Sequence, residues 1–405
     1  MQRRRRIVRA TRTLARWVKC PWKSRRCDPC SNPDRKTMRM ITLLLAGDVM
    51  TGRGIDQVMH RHCTPELHET WARDAREYVA LAERANGRIP APIAPGYIWG
   101  EALGDIDRIG ADCTIINLET AITADGTPWP GKGIHYRMHP DNTACLTAAG
   151  VDVCVLANNH VLDWGARGLG DTLDALHRAG IATAGAGRNA AGAAAPAVLD
   201  LGEGSRLLVF SFATDDCGVP PSWVAAASPG VDMLAPDDGA LERTIGRVLA
   251  ARRKEDIVVV SIHWGENWVE EIPPSHRRIA RRFIDSGAAD VIHGHSSHHP
   301  LPAEVHRGKL VLYGCGDLIN DYEGITTART TRSDAVCLYA VTLETGTGRL
   351  EDLEIIPLRL RKFRLEHADD SDRRELLRMM GNNNLSSGTT VETDPHGHWH
   401  LRWNN

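Results

Sequence analysis

The stretch "DVIHGHSSHHP" at Asp290–Pro300 decides how the rest of the chain is read: an apolar, strand-like run ends in four histidines, His293, His295, His298 and His299, within seven residues. Imidazole is the commonest metal ligand available in neutral form near pH 7. At the carboxyl end of a buried strand, such a cluster points into the crevice where open α/β sheets place their sites. A metal centre there needs oxygen and nitrogen ligands from other strands.

Outward from that cluster, short apolar runs alternate with longer amphipathic ones. "ITLLLAG" (41–47), "CTIINLE" (113–119), "DVCVLAN" (152–158), "LLVFSFA" (207–213), "IVVVSIH" (257–263), "ADVIHG" (289–294) and "LVLYGCG" (310–316) read as strands buried on both faces. Segments 141–150, 166–180, 239–256 and 274–287 read as helices, the last three with apolar residues three and four apart. The alternation predicts an α/β domain with a largely parallel sheet. "AVCLYAVTLE" (335–344) and "LEDLEIIPLRL" (350–360), joined by "TGTG", predict an antiparallel closing pair. Residues 60–100, with a helix expected over Pro65–Glu83 and then a Pro/Gly-rich loop, read as an insertion beside the site. The small-residue stretch at 185–197 lacks the endings of a phosphate-binding loop and reads as a connection.

The chemistry sits where the apolar runs stop. The first ends in Gly47-Asp48, the second in Asn117-Leu118-Glu119 and the third in Asn158-Asn159-His160; later runs deliver His263, His295 and His298. Each position alone has an ordinary explanation as a turn, a helix cap or a locally satisfied imidazole. Their joint placement at corresponding strand ends is the signature of a convergent metal site.

This order resembles the calcineurin-like metallophosphoesterases, and most closely the CapA family associated with poly-γ-glutamate capsule synthesis. "LAGDVMTGRG" (45–54), "INLETAIT" (116–123), "LANNHVLDWG" (156–165), "SIHWGENW" (261–268), "VIHGHSSHHP" (291–300) and "KLVLYGCGDLINDY" (309–322) look like that family's blocks in order. The resemblance implies a four-layer αββα sandwich of metallophosphatase type. Residue by residue, it places Glu119 as the bridging carboxylate. Asn159, His263 and His295 then complete one metal site, and Asp48 and His298 the other. His160 matches the histidine that stands near the leaving group as general acid. Asp163, three residues on, either orients that imidazole or caps the helix near Gly165. One or two divalent ions are implied, Mn, Fe or Zn rather than Ca, with a metal-bound hydroxide attacking phosphorus or a carbonyl. Three departures stand out. Met50 occupies the place of a usual histidine, Glu119 is longer than the usual Asp, and an extra residue lets either His298 or His299 turn inward.

Ordinary hydrophobic and charged fractions, 42% and 25%, fit a globular chain of 405 residues. Charge is uneven. Residues 1–37 carry 13 Lys/Arg against Asp28 and Asp34, a net of +11, which leaves −13 for the remainder. That predicts a disordered basic tail (or translation starting at Met38 or Met40), with weak contact to an anionic membrane surface. The domain follows over 38–365, and then a polar C-terminal tail over 366–405, frayed from 382. No run approaches a membrane span, and "IVRATRTLARWVKC" (7–20) is too interrupted by arginine and lysine for a secretory signal. Cysteines within strand-like runs suit reduced thiols, which points to the cytoplasm. "CDPC" (27–30) has the spacing of half a zinc site without a second half.

Two functions compete: a metal-dependent hydrolase of a phosphoester or amide-like bond linked to polyglutamate, with an anionic small molecule or polyglutamate-like substrate, and a non-catalytic metal-binding scaffold of polyglutamate synthesis or export. Met50 motivates the second. Nucleic-acid binding through the basic tail has no further support. Around the site, Trp264 and Glu266 are expected to line the pocket and Asp317 to belong to a turn; Tyr136 and Arg137 offer groups for an anionic substrate, although an exposed loop arginine is the simpler reading.

Overall fold

The computed structural model describes residues 39–381 and 389–403, apart from 236 and 326–331. The expectations for residues 1–37, including "CDPC", lie outside these, as does the fraying expected over 382–388.

Two sheets stack face to face. The first begins with β1 (Met40–Val49), to which β2 (Cys113–Leu118), β3 (Val153–Val155) and β4 (Ala182–Ala184) add in parallel order. The second holds six strands: β5 (Ala197–Gly202), β6 (Ser205–Ala213), β7 (Ile257–His263), β8 (Val291–His295), β9 (Ala303–His306) and β10 (Lys309–Leu312), in the order β9-β10-β8-β7-β6-β5. Its central strands β6, β7, β8 and β10 run parallel. The chain then returns to the first sheet. β11 (Asp317–Ile319) lies parallel to β1 on one side, and β12 (Ala335–Glu344) and β13 (Leu350–Arg361) form the antiparallel closing pair.

Alternation along each strand explains why the runs are apolar without a polar face. Leu43, Leu45, Ile115 and Val153 meet Val209, Val259, Val291 and Leu312 between the sheets. Leu44, Ala46, Ile116 and Cys154 point the other way, against α1 (Arg76–Asn86), α2 (Ala102–Ile109) and α3 (Gly165–Arg178). On the far side, Phe210, Phe212, Val258 and Ile292 pack on α4 (Asp238–Ala251) and α5 (Pro274–Asp285). The layers are therefore α, β, β, α. Helix α4 starts where Asp237 accepts the Ala240 N–H, an N-cap that satisfies one orphan donor.

Two expectations are corrected. Pro65–Glu83 is not one helix: Glu66 and Asp74 bridge antiparallel, Asp74 accepts the Arg76 N–H, and the helix begins only there. Leu67, Ala72, Ala75 and Tyr78 give that excursion its own small core. Residues 366–405 are not simply a polar tail either. β14 (Arg364–His367) pairs with β13, and α6 (Asp370–Met379) opens with a capping box made by Asp369 and Asp372. β15 (Thr389–Thr393) and β16 (Trp399–Trp403) then form a hairpin that joins β13. The hairpin is polar in sequence yet held by burial, because Trp399 and Leu401 enter the core between the sheets. His398 and Glu354 secure it at 2.8 Å.

Candidate metal centre

The carboxyl ends of β1, β2, β3, β7 and β8 meet at one end of the sandwich. Asp48, Glu119, His160, His263, His295 and His298 are all buried there, and Asn159 is half-buried. Gly47 lets β1 approach β11, since a Cβ there would come within 1.9 Å of the Gly316 carbonyl oxygen. Asp48 is gripped on both oxygens: Asn117 Nδ2 donates to Oδ1 at 2.7 Å and the Ser296 N–H to Oδ2 at 3.2 Å. Asn158 pins the neighbouring strand ends, donating to Asn117 Oδ1 and the Leu118 carbonyl while accepting the His160 N–H.

A hydrogen-bond relay sets the tautomer of His295. His293 Nε2 lies 3.0 Å from the Ala46 carbonyl, which only accepts, so Nε2 carries the proton. Burial holds His293 neutral, with its pKa lowered to about 4, so its Nδ1 accepts from Ser261 Oγ at 3.1 Å. Ser261 Oγ in turn accepts from His295 Nε2 at 2.9 Å. His295 Nδ1 is therefore a bare lone pair. It lies 2.8 Å from His263 Nδ1 and 3.8 Å from Asp48 Oδ1. Burial also drives the proton affinities of His263 and His295 well down, leaving both in the form that binds a cation. Asp48, His263 and His295 thus offer ligand atoms within 4.8 Å of one another.

A second group lies alongside, formed by Asp48, His298 and Asp317 within the same limit. The extra residue in the Gly294–His298 loop is accommodated by left-handed backbone at Ser296 (φ 94°) and His298 (φ 59°). Strain of this kind is commonly stored at functional sites. It brings His298 inward, its Nδ1 donating to Asp317 Oδ1 at 2.7 Å, whereas His299 Nδ1 bonds the Ser297 carbonyl. Asp317 was expected in a turn. A local signal for it exists, since Gly316-Asp317 repeats the Gly47-Asp48 pattern at the end of an apolar run.

On the other side of Asp48, His160 Nδ1 donates to Asp163 Oδ2 at 2.7 Å, and its Nε2 lies 3.6 Å from Glu119 Oε1. Desolvation lowers His160 to about 4 despite Asp163. Lys132, which sequence reading missed, pairs with Asp163 Oδ1 at 2.5 Å and lies 3.0 Å from His160 Nδ1. A lone lysine in a Gly-flanked loop carries no periodic signal.

A cleft of about 290 Å³ beside His298 is lined by Arg53, Trp71, Tyr78, Asn267, Trp268 and Tyr322, among others. Trp264 does not line it. Its ring stacks on His276 in the outer core and its Nε1 donates to the Tyr313 carbonyl at 2.7 Å, while Glu266 is exposed. Arg137 is spent on Thr64 and the face of Trp164, and Tyr136 is buried against Arg53 and His160.

The donors fit a divalent cation. Glu119 Oε1, Asn159 Oδ1 and His263 Nε2 are buried without a hydrogen-bond partner, a costly state that ligation relieves. Burial and mutual repulsion raise the proton affinities of the carboxylates, Asp48 to about 6 and Glu119 well above its usual range. Buried like charges of this kind call for a cation.

A sequence profile described as bacterial capsule synthesis protein PGA_cap matches residues 42–322, which span every strand end of the site. The chain belongs to that family. Among PGA_cap relatives, a probable polyglutamine synthesis accessory protein of Mycobacterium tuberculosis is 45% identical over 368 residues, 90% of this chain and 95% of its own. The capsule biosynthesis protein CapA of Bacillus anthracis is 25% identical over 323 residues, covering 80% of this chain and 68% of its own. A phosphatase structure from Mycoplasma pneumoniae aligns with 85% of this PGA_cap chain and all of its own, at 11% identity and a TM-score of 0.43.

Proposed function

We propose that this protein is a metal-dependent hydrolase of a phosphoester or amide-like bond, serving poly-γ-glutamate synthesis. The observation that carries this reading is that Glu119 Oε1, Asn159 Oδ1 and His263 Nε2 are buried without a hydrogen-bond partner, together with the close grouping of Asp48, His263 and His295. Asp48, Glu119, Asn159, His263, His295 and His298 would hold one or two ions, for which Mn, Fe or Zn suits the mixed donors. The bound metal supplies Lewis-acid polarisation of the substrate and activation of water. His160, held by Asp163, keeps its Nε2 toward the pocket, where it exchanges a proton with the leaving group. The metal charge favours an anionic substrate. Relatives named for polyglutamine synthesis and capsule biosynthesis support the link to polyglutamate. Seven described cysteines, all buried and free, support a reducing compartment, hence the cytoplasm. Among the described residues no helix is long and apolar enough to cross a membrane.

Incubating purified protein with Mn²⁺ and a panel of phosphoesters and γ-glutamyl peptides tests the proposal. Turnover that disappears in His263→Ala is expected. Absence of turnover across the panel, or its survival in that variant, overturns it. Met50, whose thioether accepts the Tyr322 hydroxyl at 3.5 Å, favours a second reading as a non-catalytic scaffold. That reading requires His160→Ala to leave polymer synthesis in cells intact.

A further inference from the structure

We propose that Asp317 is a metal ligand: its carboxylate stands in for the imidazole missing at Met50 and, with Asp48 and His298, completes a second ion position. This rests on reading the strand ends as a metal centre, and it assigns a ligand that the motif order does not supply.

Three observations converge on Asp317. First, β11 adds to β1 in parallel register with Asp317 level with Asp48, so the two carboxylates leave adjacent strands side by side. The Asp48 N–H donates to the Gly316 carbonyl at 3.0 Å and the Met50 N–H to the Ile319 carbonyl at 2.8 Å, which fixes this register. Second, Asp317 is held as a ligand would be. Asn320 Nδ2 donates to its Oδ2 at 2.9 Å, leaving Oδ1 on the side of His298 and Asp48. Third, Asp48, Glu119 and Asp317 are all fully buried carboxylates. Buried carboxylates grouped in this way need a compensating cation, which neither a turn nor an ordinary His–Asp pair supplies.

The two positions then share Asp48 and differ in character. The one with His263 and His295 is rich in imidazole; the one with Asp317 is rich in carboxylate and suits a hard ion such as Mn²⁺. The rival account is that Asp317 only orients the His298 ring. It is distinguished by the number of ions bound.

The test is a Mn²⁺ titration of the metal-stripped full chain, with bound metal counted by mass spectrometry and coupling read by low-temperature electron paramagnetic resonance. Wild type is expected to bind two Mn²⁺ per chain with a spin-coupled spectrum. Asp317→Asn should bind one, uncoupled, with the second at least about 100-fold weaker, beyond the loss usual for a residue that only orients a ligand. Adding Met50→His to Asp317→Asn should restore the second ion. Two coupled Mn²⁺ retained in Asp317→Asn overturns the proposal. One Mn²⁺ in both wild type and Asp317→Asn overturns it while sparing the hydrolase reading, and no Mn²⁺ in wild type overturns both. If Asp317→Asn does not fold, Mn²⁺ anomalous diffraction from wild-type crystals decides: an ion bonded to a carboxylate oxygen of Asp317 upholds the assignment, and its absence there overturns it.

Discussion

His160 and Asp163 face each other across a single turn, Nδ1 to Oδ2 at 2.7 Å, and the same carboxylate oxygen receives the Tyr136 N–H at 2.6 Å. This pair binds no ion in the proposed scheme, so it separates chemistry from metal loading. His160→Ala should lower kcat by about 10²–10⁴-fold with metal content unchanged. Asp163→Asn should act on the same parameter by a smaller factor. Loss of metal in step with activity would assign the pair to site assembly instead.

Arg53 offers a test of stability. It is buried with left-handed backbone (φ 47°), bonded to Glu69 at 2.9 Å, to Asp321, and to the Tyr78 hydroxyl at 2.7 Å. Removing one partner of a buried ionic cluster strands the others. Arg53→Met should therefore cost about 3–5 kcal/mol, read from urea denaturation of the metal-free protein. A cost below about 1 kcal/mol would show that the cluster relaxes by admitting water.

Asp232 predicts a pH dependence. Burial pushes its carboxyl up to about 6 even with Arg247 at 2.7 Å. A carboxyl whose folded pKa lies above its unfolded value favours the folded state below about pH 4, and that advantage is lost as pH rises through about 6. Asp232→Asn carries no such titration. Its melting temperature should therefore gain on that of wild type between pH 4 and pH 7 in scanning calorimetry. A constant gap, or one moving the other way, would contradict the argument.

The C-terminal hairpin makes a fourth case. Trp399 is 1% exposed and packs between the sheets. Trp399→Ala should cost about 3–5 kcal/mol by denaturant titration, whereas a frayed end would show no change. Truncation after residue 381 should destabilise in the same sense.

Fold and site were not equally legible. Runs such as "IVVVSIH" (257–263) read directly as strands because burial on both faces leaves no polar position to confuse the pattern. Strands that are half polar, such as Thr389–Thr393, carried no such signal and were read as a tail. Trp264 was misplaced because adjacent residues on a strand point to opposite faces: His263 turns to the pocket and Trp264 to the outer core. Lys132 was not visible, since its partner lies 31 residues away with no shared period.

What the sequence by itself determined is the layered α/β order, the family, and which strand ends carry Asp48, Glu119, Asn159, His160, His263 and the histidine cluster. Those follow from local alternation and chain order. Only the tertiary structure decided the work of each histidine, because an imidazole takes its role from what lies across the sheets. His293 reaches the Ala46 carbonyl, 247 residues away, to set the tautomer of His295, and His298 meets Asp317 while His299 turns back on its own loop. Asp317 carries a local signal in its Gly-Asp strand end, but its place beside Asp48 was decided only when β11 settled next to β1 in register, a pairing of distant segments that the local pattern does not encode.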